Sequence, residues 1–131
     1  MNPAIVIATC LMLEAGNQGD KGIELVADVI ANRMKERKLT AVEVVRQPYQ
    51  FESIDKKTTR EVADDAFSCC VGSPKIWKKC LRLAFNLQAG AYKPATKHNH
   101  FFNPKLCNPS WASQLKDKQK CKDHVFGRIE I

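Results

Sequence analysis

The sequence has no apolar run long enough to cross a membrane: the stretch at residues 4–13 falls far short of the roughly 20 residues a spanning helix needs. No cationic leader or small-residue cleavage site flanks that stretch, so it does not read as a signal peptide. No low-complexity tract, internal repeat or linker interrupts the chain, and with 44% hydrophobic and 27% charged residues disorder has no compositional basis. Helix-turn-helix and zinc-finger spacings are also missing, which leaves a nucleic-acid partner without a reader. Residues 1–131 therefore read as a single domain, large enough to bury a core.

What is abundant is positive charge. The formal balance is +7, densest at residues 35–38, 75–79 and 116–122. A basic surface of this kind concentrates anionic partners by Coulomb attraction, whether nucleic acid, bacterial envelope or membrane surface. Six cysteines are many for this length, but without a secretory signal the expectation is mostly reduced, partly buried thiols.

Asn2 and Pro3 read as the cap and first residue of a helix that is apolar on every face except at Thr9, which belongs in the middle of a fold. Gly16 and Gly19 end it. Asp20 is expected to cap a second helix, whose Ile23, Val26, Ala27, Ile30, Ala31 and Met34 recur at helical spacing until Lys35, Arg37 and Lys38. Thr40 and Glu43 form a capping box for a short third helix that Pro48 stops. The segment QPYQFES, residues 47–53, alternates aromatic and polar residues and is the best candidate for a strand or extended loop.

Two further helices are predicted, one over residues 60–70 and one opened by Ser73 and Pro74, with Ile76, Cys80, Leu83, Ala84 and Leu87 inward and Gly90 closing it. Beyond Gly90 the texture is loop and short strand, with a short helix from Asn108 and Pro109 through Leu115 and a terminal strand in HVFGRIEI. The predicted class is α+β, mostly helical, with a small β-sheet.

Glu14 stands in the last turn of the apolar first helix. Outward-pointing carbonyls and the helix dipole disfavour a negative charge there, and partial burial acts in the same direction. A carboxyl protonated near neutral pH can donate a proton to a leaving group, which glycosidic cleavage requires. The plainer reading is an exposed last-turn glutamate.

Five blocks add to that reading: EAGNQGDKGIELVADVIANR (14–33), QPYQF (47–51), NHFFNP (99–104), NPSWA (108–112) and DHVF (123–126). Taken in order, they resemble the SleB-type cell wall hydrolase family, the spore-cortex lytic enzymes and their phage endolysin relatives. The sequence departs from that pattern at Leu13, Gly16 and Asn99. The resemblance implies a lysozyme-like fold and cleavage of the peptidoglycan glycan between N-acetylmuramic acid and N-acetylglucosamine, usually as a lytic transglycosylase. It implies Glu14 as the catalytic acid, and it places Gln50, His100, Asn103, Trp111 and His124 in the other family blocks.

In such a mechanism Glu14 protonates the glycosidic oxygen and then, as a carboxylate, accepts the proton of the muramic acid 6-hydroxyl as that group attacks the anomeric carbon. Hydrolysis instead needs a second carboxylate to position water, and Glu52, Asp55 and Glu24 are available by type. Tyr49, Gln50, Glu52, His100, Asn103 and Trp111 are the candidate substrate-binding residues. Gln50 and Asn103 serve equally well to satisfy loop backbone, and the aromatic residues to build core, where Phe102 is expected while Tyr49 stays near the cleft. His98, His100, Cys107, Cys121 and His124 invite a zinc reading, but their spacings are irregular and the expectation is no metal and no cofactor. The remaining expectations are a monomer acting on peptidoglycan, without nucleic acid or membrane insertion, and an endolysin made in the host cytoplasm that reaches the wall after release. The rivals are a water-using muramidase and a non-catalytic basic binder of glycan or nucleic acid.

Overall fold

A computed structural model describes residues 1–130. The elements run α1 (Pro3–Ala15), α2 (Gly19–Arg37), α3 (Ala41–Arg46), α4 (Thr59–Gly72), α5 (Pro74–Gln88), β1 (His100–Phe102), a 3-10 turn (Ser110–Gln114), β2 (Lys116–Cys121) and β3 (His124–Arg128). The class is α+β and mostly helical, as the sequence predicts.

Asn2 caps α1 by accepting from the Ala4 N–H at 2.9 Å, with Pro3 in the first turn. A helix with no polar face is stable only where other elements surround it. α1 accordingly packs against α2, α3, α4 and α5, with Ile7, Ala8, Cys10 and Leu11 fully buried. On α2 the residues Ile23, Val26, Ala27 and Ile30 are buried as their spacing predicts, and Ala31 and Met34 lie at the edge of the core. Lys38 ends α2 in the left-handed region at φ 54. Thr40 and Glu43 form the expected capping box, and Thr58 and Glu61 form another at the start of α4.

Asp20 is not the cap of α2. Gln18 holds that position without a side-chain capping bond, because its amide is engaged elsewhere. Its Nε2 donates to Asp123 Oδ2 and its Oε1 accepts from the Asp123 N–H, each at 3.0 Å, which ties the start of α2 to the β2–β3 turn. Asp20 instead sits in the first turn, with its carboxylate 3.3 Å from Lys79 of α5.

Residues 47–53 form no strand. The chain turns repeatedly there: the Ile54 and Asp55 N–H groups both donate to the Phe51 carbonyl at 2.9 Å, and Asp55 Oδ2 accepts from the Tyr49 N–H at 2.7 Å. Arg46 Nη1 donates to the Ile54 and Lys57 carbonyls at 2.9 and 2.7 Å and fastens the loop to α3. Phe51 and Ile54 are the buried residues, three apart, so the anchoring follows a helical turn rather than the period of a strand.

The antiparallel sheet has the order β1-β3-β2. Its centre, β3, comes from HVFGRIEI as predicted, and Ile131 of that stretch lies outside the described residues. β2 is built from KDKQKC, a poor strand composition that reads from sequence only as a basic run. Pairing with β3 imposes the conformation, and exposed Lys116, Lys118 and Lys120 protect the free edge from pairing with another chain. Phe102 is not in the core. Successive strand residues face opposite ways, so Phe101 takes the core-facing place, stacked on Phe126 at 5.4 Å, while the half-buried Phe102 meets the edge of Trp111 at 5.6 Å.

One side of α2 holds the chain that leads into β1. Asp28 accepts from the Tyr92 hydroxyl at 2.6 Å and the Thr96 hydroxyl at 2.7 Å. One turn on, Asn32 Nδ2 donates to the Thr96 and His98 carbonyls at 3.0 and 2.8 Å. Arg33 Nε donates to the Asn99 carbonyl at 2.8 Å. Cys10 and Cys80 are fully buried, Cys69 and Cys121 half-buried, and Cys70 and Cys107 exposed, all as free thiols.

Ile7 is 0% exposed on the central helix, whereas Phe67 on α4 is 72% exposed. We expect Ile7→Ala to cost about 2–5 kcal/mol in urea denaturation, through lost burial and the cavity left behind. Phe67→Ala should stay within about 0.5 kcal/mol. Equal losses at the two positions would contradict a core centred on α1.

Candidate active site

Glu14 is half-buried in the last turn of α1, and the loop at residues 47–57 closes over that end. Ser53 Oγ donates to Glu14 Oε2 at 2.5 Å. Burial pushes the Glu14 carboxyl above the ordinary carboxylate range. The Ser53 hydrogen bond and the charge of Arg33 pull it down, while Glu52 pushes it up. Cys10, one turn earlier on α1, is fully buried, and its thiol is held well above its usual range by burial and by Glu14, so it stays neutral.

Among the sequence-predicted residues, Tyr49 and Glu52 belong to the same loop as Ser53. Tyr49 is exposed, takes φ 63, and has the Lys56 ammonium 4.9 Å from its ring centre. Gln50 is exposed, with Arg37 Nη1 3.4 Å from its Oε1, whereas Gln47 receives the better bond from the same atom at 2.6 Å. His100 and Trp111 meet at 4.8 Å between ring centres on the sheet side. Burial and the cations Arg33 and Arg37 push the His100 imidazole down to about 4, so it is neutral at physiological pH. Asn103 Oδ1 accepts from the Lys105 N–H at 2.9 Å and organises the 103–107 turn. The loop side and the sheet side join through the Phe51 and Phe101 rings, 6.1 Å apart, and through Arg33.

His124 is buried, with Nδ1 unpartnered and its ring packed edge-on against Phe101 at 5.2 Å, in keeping with its structural reading. His98 binds Gln119 Oε1 at 2.9 Å. Among the described residues no cluster of three His, Cys, Asp or Glu side chains converges as a metal site. No helix among them is long and apolar enough to cross a membrane.

A groove of about 1120 Å³ lies elsewhere, lined by Asn32, Glu36, Tyr92, Thr96 and Arg128 among others, and does not contain Glu14. Its Glu36 and Arg128 are paired with each other at 2.5 Å. Glu14 is paired with no cation and its hydrogen-bonding partner is Ser53, so general acid chemistry points to Glu14 rather than to the groove.

Ser53 and Arg33 are site residues that no sequence pattern singles out. Ser53 lies in the segment expected to be extended, which hides its reach to α1. Arg33 carries a signal: it falls three residues after Ile30 and seven after Val26, on the buried face of α2, where a cation demands a partner or a function.

A largely helical protein with a half-buried, unpaired carboxyl at the end of its central helix is what an acid-catalysed enzyme requires. The family model for cell wall hydrolases matches residues 17–127, and the chain belongs to that family, whose substrate is peptidoglycan. No curated protein and no solved structure matches it. The matched span begins after Glu14, so the case for that residue rests on its resemblance block and its own geometry.

Because the Ser53 hydroxyl favours the charged form of Glu14, Ser53→Ala should move the Glu14 titration midpoint to higher pH. This can be followed by carbon NMR of labelled side-chain carboxyls. An unchanged or lower midpoint would remove Ser53 from the site.

Proposed function

We propose that the protein cleaves peptidoglycan glycan strands between N-acetylmuramic acid and N-acetylglucosamine as a lytic transglycosylase, with Glu14 as general acid and then general base. The observation that carries this reading is the half-buried Glu14 carboxyl, raised by desolvation and bonded to Ser53 alone among its neighbours. Protonated, it gives its proton to the glycosidic oxygen. Ionised, it takes the proton of the muramic acid 6-hydroxyl, which is held beside the reacting carbon at high effective molarity. Tyr49, Gln50 and Glu52 on the loop, and His100, Asn103 and Trp111 on the sheet side, are the residues we assign to binding sugar rings. The biological setting we read is an endolysin of a phage, made in the host cytoplasm and acting on the wall after release. The net charge of +7, which draws the protein to an acidic envelope, supports it.

A water-using muramidase is the second reading, and it is favoured by one observation: Glu52 lies close enough to Glu14 to raise its proton affinity. The other carboxylates available by type are engaged. Asp55 accepts from the Tyr49 backbone at 2.7 Å, and Glu24 pairs with Lys79 at 2.9 Å. Glu52 is exposed and free to act as the base.

Glu14→Gln keeps the shape and the Ser53 contact but has no proton to give. We expect it to fold and to lose nearly all lysis of purified sacculi, where wild-type rates would sink the assignment. Its stability gives a separate check. A carboxyl raised in the folded state favours folding below its unfolded midpoint of about 4.3 and loses that contribution as pH climbs through the folded midpoint. The glutamine variant should therefore match the wild type in acid and gain on it toward neutral pH, as urea denaturation across pH will show.

Mass spectrometry of the released muropeptides separates the two reactions. We expect 1,6-anhydro-N-acetylmuramic acid ends, each lighter by one water than the hydrolysis product. Reducing ends that borohydride converts to muramitol would establish the muramidase reading and turn attention to Glu52.

A further inference from the structure

Arg33 is 4% exposed, and its guanidinium touches both sides of the site. Nε donates to the Asn99 carbonyl at 2.8 Å, and the guanidinium carbon lies 5.4 Å from the centre of the Phe51 ring. Nη1 is buried with no hydrogen-bond partner. A guanidinium taken out of water and left with an unused donor is costly. Such a group is retained where its charge or its geometry serves a site.

What it touches is informative. Phe51 is fully buried and is the residue on which the loop turns, two positions before Ser53, the hydrogen-bond donor to Glu14. Asn99 is the hub of the sheet side: its Oδ1 accepts from the Ile129 N–H at 2.8 Å and lies 2.9 Å from His100 Nδ1, and its Nδ2 donates to the Ile129 carbonyl at 2.9 Å. One side chain thus fixes the backbone that aims His100 and the ring that seats Ser53.

We propose that Arg33 is a positioning residue that clamps the Ser53 loop to the His100 strand and so holds the two sides of the site in register. The proposal rests on Glu14 being the acid.

The charge has a defined task. Burial raises the proton affinity of Glu14, the Ser53 hydrogen bonds offset part of that rise, and the Arg33 charge adds a smaller pull in the same direction, so the proton leaves more readily at the moment of bond cleavage. The other groups facing Glu14 are the neutral Cys10 thiol on α1 and Ser53 and Glu52 on the loop, and among the charges Arg33 alone acts in this direction. The charges acting on His100 are Arg33, Arg37 and Glu36 of α2, and burial together with the two arginines keeps it neutral and available as a hydrogen-bonding group. Arg33 itself is held down to about 10 by burial and by Arg37, and it remains charged at working pH.

The test uses Arg33→Met, which removes charge and clamp, and Arg33→Lys, which keeps a charge and loses the planar Nε donor to Asn99. In Arg33→Met we expect the Glu14 carboxyl and the His100 imidazole, followed by NMR, both to titrate at higher pH than in the wild type. The alkaline limb of the kcat profile on sacculi should move the same way. In Arg33→Lys the two midpoints should stay near the wild type while kcat falls about tenfold to a hundredfold with KM little changed, the signature of lost alignment. Wild-type kcat in Arg33→Lys, or unmoved midpoints in a folded Arg33→Met, overturns the proposal. Should Arg33→Met fail to fold, the kcat of Arg33→Lys decides alone. The NMR midpoints report on the Arg33 charge even if Glu14→Gln proves active, so failure of the catalytic assignment and failure of this inference are separable.

Discussion

Burial of α1 is the constraint on which the rest of the molecule depends. A helix without a polar face cannot lie on the surface, so the remaining helices pack around it, and its C-terminal turn is carried to the edge of the core. The residue at that edge is Glu14. Its carboxyl is desolvated because the helix it belongs to is central, so the packing that buries α1 also raises the proton affinity of the carboxyl at its end. Fold and site are joined by one element.

A second helix supplies the geometry that α1 does not. Asp28, Asn32 and Arg33 lie along one side of α2 and capture, in order, the Thr96 hydroxyl, the Thr96 and His98 carbonyls and the Asn99 carbonyl. The β1 strand that follows has only three residues and could not place His100 by itself. Its position is set by a 19-residue helix, which Trp111 reaches through the His100 and Phe102 rings. The loop side is anchored in a comparable way, with Arg46 binding its carbonyls and Phe51 filling the core.

This arrangement carries a standing cost. A half-buried carboxyl without a cation in hydrogen-bond contact and a buried arginine with an unused donor each oppose folding, and neither is needed to complete a core already filled by Ile7, Leu11, Ile23, Ile30, Phe51 and Phe126. Strain of that kind concentrates where a protein does chemistry. The exposed lysines of the β2 edge strand keep that edge from pairing with another chain and add to the positive charge of the surface.

Much of this architecture is legible in the order of the residues. The apolar run at residues 4–13, the spacing of Ile23, Val26, Ala27 and Ile30, the cap at Asn2 and the capping box at Thr40 and Glu43 each encode helix locally, because helical hydrogen bonds and helical faces span only a few residues. Glu14 is legible for the same reason: its place in a last turn and after an apolar run is local information. What tertiary structure alone decided were the features that need a distant partner. KDKQKC became β2 only by pairing with β3, Gln18 took the cap position expected of Asp20 with its amide turned to Asp123, and the aromatic alternation of residues 47–53 closed into turns once Phe51 and Ile54 were anchored. Ser53 and Arg33 joined the site in the same way, since a contact between residues 39 apart, as between Ser53 and Glu14, leaves no periodicity for a sequence to display.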